Sequence, residues 1–125
     1  MGETAGLYVL LVEDDGLVRA ATEALLVQWG LLVDSASSIT HLEELLECIE
    51  RYPDLIITDY RLHDGKTAHD VTESVYRKLG KSVPCLVITG EASLAGGTVD
   101  CNQYTLMKPV TPELLRKRIL EAIAV

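Results

Sequence analysis

Glu13, Asp14 and Asp15 stand directly after the apolar run Tyr8-Val9-Leu10-Leu11-Val12. Asp59 closes Leu55-Ile56-Ile57-Thr58, Thr89 closes Cys85-Leu86-Val87-Ile88, and Lys108 with Pro109 closes Tyr104-Thr105-Leu106-Met107. If these runs are parallel strands of one sheet, all four clusters meet at its carboxyl edge, where open α/β sheets place their sites. Carboxylates, a hydroxyl and an ammonium converging there describe a site for a cation and a phosphate. Glu13, Asp14 and Asp59 would repel one another unless a cation or proton sat among them. Mg²⁺ suits such a place, since it binds through one or two carboxylates, waters and a phosphate. Asp14 and Asp59 are the expected direct ligands, with Glu13 acting through water. Asp15, next to a helical segment, reads as a cap.

The elements that must position these residues alternate. A strand over Leu7 to Val12 precedes a helix over Gly16 to Trp29, whose inward face is expected to carry Val18, Ala21, Leu25 and Trp29, with Gly30 as its stop. Leu31 to Ala36 reads as a second strand. Ser38 or Thr40 then caps a helix bearing Ile39, Leu42, Leu45, Leu46 and Ile49 on one face, and Thr40 with Glu43 fits a capping box. Leu55 to Asp59 is a third strand, followed by a helix with Ala68, Val71, Val75 and Leu79 inward. Cys85 to Thr89 is a fourth. The stretch 90–102 contains Gly96-Gly97 and little apolar periodicity, so the fourth helix is expected to be short or irregular. Gln103 to Met107 is a fifth strand. Thr111 caps the last helix, Pro112 opens it, and Leu115, Ile119 and Ile123 face the sheet.

The expected fold class is therefore α/β, a doubly wound parallel (βα)5 sheet in the flavodoxin-like order 2-1-3-4-5. One domain over residues 1–125 is expected, with its core over about 7–124 and a loose end at 1–6. A hydrophobic content of 48% and a mean hydropathy of +0.20 suit strands covered on both faces. No apolar stretch approaches the ~18 residues of a membrane span, and no export signal is legible. A net charge of −8 argues against direct contact with nucleic acid. Cys48, Cys85 and Cys101 have no zinc-like spacing, and a reducing cytoplasm is the simplest location.

On Val12-Glu13-Asp14-Asp15, Thr58-Asp59-Tyr60-Arg61-Leu62, Ile88-Thr89-Gly90-Glu91 and Met107-Lys108-Pro109, the chain resembles the receiver domain of two-component response regulators. The resemblance implies that Asp59 is the phosphoacceptor, taking a phosphoryl group from a phosphohistidine in a two-component phosphorelay. It implies Mg²⁺ held by Asp14, Asp59 and the backbone carbonyl of Arg61, with Glu13 nearby. Lys108 and the Thr89 hydroxyl would contact phosphoryl oxygens, and a cis Lys108-Pro109 bond would aim the lysine. Arg61 and Glu91 would overhang the site and modulate attack of water on the phosphoaspartate. Activity would be limited to self-phosphotransfer and autodephosphorylation at Asp59.

Two positions depart from the family's common pattern. The usual aromatic switch three residues before the lysine is Thr105, whereas strand alternation points the adjacent Tyr104 to the opposite face. The Thr89-to-Lys108 interval is also short. The usual coupling from threonine to an aromatic ring is therefore not expected.

Around Asp59 and Lys108 the wording resembles receivers attached to hybrid sensor histidine kinases. Partners would then be a histidine kinase or a histidine phosphotransfer domain, in the same parent chain if that chain is a membrane-anchored or cytoplasmic sensor. A stand-alone single-domain response regulator and a phosphorylation-independent interaction module of the same fold are the alternatives. A nucleotide-binding P-loop would need glycine where Tyr60 stands, and no Gly-x-Gly-x-x-Gly follows the first strand. His41, His63 and His69 lack ligand-like spacing and read as surface residues, His63 at the rim of the site.

Overall fold

Continuous apolar runs make strands that must be covered on both faces, and the computed structural model of the chain shows that arrangement. It describes residues 6–90 and 103–123. Strands β1 (Tyr8–Val12), β2 (Leu32–Ala36), β3 (Leu55–Asp59), β4 (Cys85–Thr89) and β5 (Gln103–Met107) form one sheet in the order β2-β1-β3-β4-β5. Every pairing is parallel. Helices α1 (Gly16–Gln28), α2 (Ile39–Cys48), α3 (Ala68–Leu79) and α4 (Pro112–Ile123) cover it. The expected short or irregular helix between β4 and β5 falls on residues 91–102, outside the described residues.

Strand alternation divides the core. Leu10, Val12, Ile56 and Val87 pack with Leu42 and Leu46 of α2 and Val71 and Val75 of α3. Val9, Leu11, Leu55, Ile57 and Leu86 turn the other way, toward Leu26 of α1 and Leu115 and Ile119 of α4. Successive side chains on a strand point to opposite faces, so five buried residues in β1 serve two cores at once.

Two local expectations change. Of the expected inward residues of α1, Trp29 packs half-buried against the core and Val18 and Leu25 line a cavity beside it, whereas Ala21 is exposed; the fully buried residue is Leu26. The apolar stripe is right in period and widens to include Leu26. Gly30 follows with φ 87, the left-handed conformation expected of a helix stop.

In α2 the cap is Ser38, whose hydroxyl accepts from the His41 amide at 3.1 Å. The helix starts at Ile39, which leaves Thr40 exposed within the first turn, and Glu43 instead accepts from Ser74 Oγ on α3 at 3.2 Å. The back-bond of a capping box forms on α3, where the Asp70 carboxylate accepts from the Thr67 amide at 2.8 Å. Asp70→Ala should lose that bond and a favourable charge at the helix start, costing about 1 kcal/mol. A urea midpoint lowered at unchanged slope is the expected reading.

Candidate functional site

Strand register brings the site together. Val12 pairs with Thr58, so Glu13 and Asp14, which follow Val12, lie beside Asp59 at the end of β3. Thr89 pairs with Met107, and the Lys108 amide donates to the Thr89 carbonyl at 2.8 Å. Lys108 therefore leaves β5 next to the end of β4. Its Nζ lies 3.0 Å from Asp59 Oδ1, and the Lys108-Pro109 peptide is cis. Asp15 caps α1 as expected, accepting from the amides of Leu17 and Val18 at 3.0 and 3.1 Å.

Carboxylate oxygens of Glu13, Asp14 and Asp59 lie within 4.8 Å of one another. Glu13 is buried, with a relative exposure of 6%, and the side chains of Asp14 and Asp59 are exposed by only 10% and 11%. Burial, reinforced by the Asp59 and Asp14 carboxylates, pushes Glu13 up to about 7 despite the hydrogen bond it accepts from the Asp15 amide. Burial also weighs on Lys108, but the carboxylates, Asp59 foremost, outweigh it and hold the ammonium above the ordinary lysine value. Asp59 Oδ1 is shut away from solvent, and apart from its 3.0 Å ion pair with Lys108 Nζ it has no hydrogen-bond partner among the described residues.

This donor set fits a hard divalent cation: oxygen ligands only, like charges held close, and one buried oxygen that among the described residues meets only the Lys108 ammonium. Asp59 and Lys108 themselves line a largely apolar cavity of about 550 Å³, together with Val18, Leu25, Ile57 and Leu115 among others. Low-dielectric walls strengthen the charge interactions above them.

Thr89 is buried at the end of β4. Thr105 is half-buried on β5 opposite Val87. Arg61 is exposed, its guanidinium 5.3 Å from the Tyr60 ring centre, and its backbone bridges Thr67. Glu91, expected to overhang the site with Arg61, lies outside the described residues. One contact exceeds what spacing suggested. The His63 amide donates to Asp14 Oδ2, and His63 Nδ1 lies 3.5 Å from the same oxygen. The sequence signal for this was only that residue 63 follows β3 closely.

No helix among the described residues is long and apolar enough to cross a membrane. Comparison with curated proteins gives no significant match. Among solved structures, the receiver domain of the response regulator PhyR from Erythrobacter litoralis is similar at 26% identity and a TM-score of 0.79, over 98% of this chain and 94% of that one. The anti-anti-sigma factor PhyR from Bartonella quintana shares the fold at 18% identity and a TM-score of 0.80; the match covers 98% of this chain and 50% of that longer one. The receiver domain of the hybrid histidine kinase CckA matches at 23% identity and a TM-score of 0.76, over 93% of this chain and 98% of that one. The family model for the response regulator receiver domain matches residues 9–120, so the chain belongs to that family.

Proposed function

We propose that this chain is a phosphoacceptor receiver domain in which Asp59 takes a phosphoryl group from a phosphohistidine. The observation that supports it most is the placement of Asp59, among two further carboxylates within 4.8 Å and 3.0 Å from an ammonium. An Asp59 oxygen forms a bond to phosphorus as the phosphorus–nitrogen bond breaks. The phosphohistidine reacts with its other ring nitrogen protonated, so the nitrogen that leaves phosphorus keeps the electron pair and the donor departs as neutral imidazole. The transition state for such a transfer is loose, so the protein chiefly positions and neutralises. Mg²⁺, when bound, supplies positive charge to the phosphoryl oxygens.

Asp14 and Asp59 would hold that ion together with the Arg61 carbonyl, and Glu13 would act through water. Lys108 would balance charge on one phosphoryl oxygen, and the Thr89 hydroxyl would donate to another. Incubation with acetyl phosphate and Mg²⁺, read by intact mass, should show one added phosphoryl group. Absence of the adduct would leave a phosphorylation-independent interaction module of the same fold.

Arg61 would shield the phosphoaspartate from water, in company with Glu91. Its exposed position two residues beyond Asp59 supports this. Arg61→Ala should change the rate of dephosphorylation several-fold while leaving phosphorylation intact, and an unchanged rate removes the shielding role.

The partner would be a histidine kinase or a histidine phosphotransfer domain. The motif wording and the likeness to the CckA receiver support origin in a hybrid sensor kinase. A stand-alone response regulator is the alternative, and the reading frame upstream of Met1 separates the two.

A further inference from the structure

The loop after β3 carries an imidazole to the edge of the carboxylate cluster. Its backbone is tied down on both sides. Arg61 bridges Thr67, the Leu62 amide donates to the Lys66 carbonyl at 2.9 Å, and the Gly65 amide donates to the Leu62 carbonyl at 3.2 Å. Gly65 has φ 82, a conformation open to glycine at little cost, and the Leu62 side chain is buried. His63 is thus held over Asp14 by its own backbone, with its amide bonded to Asp14 Oδ2. The ring is 84% exposed, so it can turn, and Nδ1 already stands 3.5 Å from that oxygen.

Two atoms that bind one cation at about 2.1 Å cannot be more than about 4.2 Å apart, and this pair satisfies that limit. A carboxylate oxygen has two lone pairs, so the bond from the His63 amide leaves Asp14 able to bind a cation. We propose that His63 supplies a nitrogen donor beside Asp14, so that the site takes a borderline divalent metal such as Co²⁺ or Zn²⁺ as well as Mg²⁺. This rests on the carboxylate cation site proposed above. Carboxylate oxygens alone suit Mg²⁺, whereas imidazole favours the later first-row metals.

The test uses His63→Ala, which removes the ring and keeps the amide that bonds Asp14. Both proteins carry alanine at positions 41 and 69, so no other imidazole competes. Calorimetric titration with Co²⁺ should show a loss of about tenfold or more in affinity in the variant, with Mg²⁺ affinity changed by less than about twofold. Proton spectra of the Co²⁺-loaded protein should show a strongly shifted, exchangeable imidazole N–H resonance that His63→Ala abolishes. Unchanged Co²⁺ affinity, or no shifted resonance, with Mg²⁺ binding intact overturns the role of His63 alone. Retention of both metals by Asp14→Asn overturns the carboxylate site and the His63 proposal with it.

Discussion

Asp59→Asn should take up no phosphoryl group from acetyl phosphate and Mg²⁺, while the parent protein gains one. An amide is a poor nucleophile and carries no charge, so both the attack on phosphorus and part of the cation's binding are lost together. Near-identical shape keeps the end of β3 in place, since the strand is held by backbone pairing with β1 and β4. Removal of one of three neighbouring carboxylates should also lower Mg²⁺ affinity by about tenfold or more. Intact mass reads the first effect, and calorimetry reads the second. A phosphoryl adduct that survives the substitution places the acceptor on another residue.

Glu13→Gln should stabilise the metal-free protein above neutral pH. Burial and the neighbouring carboxylates push Glu13 up to about 7 from its ordinary value of 4.5. The folded chain therefore holds this proton more tightly than the unfolded chain. The stabilising effect of that proton is complete below about pH 4.5 and is lost as pH rises through about 7. The ionised carboxylate then costs on the order of 2 kcal/mol, since each tenfold change in proton affinity corresponds to about 1.4 kcal/mol and charge coupling spreads the effect among the acids.

Urea midpoints in EDTA should show the variant gaining over the parent between about pH 5 and pH 8, with the gain flattening above that range. Saturating Mg²⁺ should recover most of the parent's loss, because a cation among the carboxylates offsets the repulsion that raises Glu13. A difference independent of pH would mean that Glu13 ionises freely in the folded protein.

Much of the fold was legible because it depends on short-range patterns. Apolar runs bounded by glycine, proline and acidic residues marked β1, β3 and β4 most plainly, and βα alternation with short connections implied parallel pairing in the observed order. The ends of those runs identified Glu13, Asp14, Asp59, Thr89 and Lys108 as a group. Helix packing was less legible. Periodicity gave the α1 stripe of Val18, Ala21, Leu25 and Trp29, of which Trp29 packs on the core, but it did not mark Leu26, the residue that is fully buried. The cap of α2 likewise went to Ser38 over Thr40, because the burial of Ile39 sets where that helix begins.

By itself the sequence determined which residue types stand at the carboxyl edge of a parallel sheet, since strand ends are local features and the handedness of βα crossovers narrows the strand order. Only the tertiary structure decided how near they come. The 3.0 Å contact from Lys108 to Asp59, the raised pKa of Glu13 and the approach of His63 to Asp14 depend on register between strands and on how a loop is folded back. Those are distances between segments far apart in the chain. They follow from packing and backbone pairing, which no run of neighbouring residues specifies.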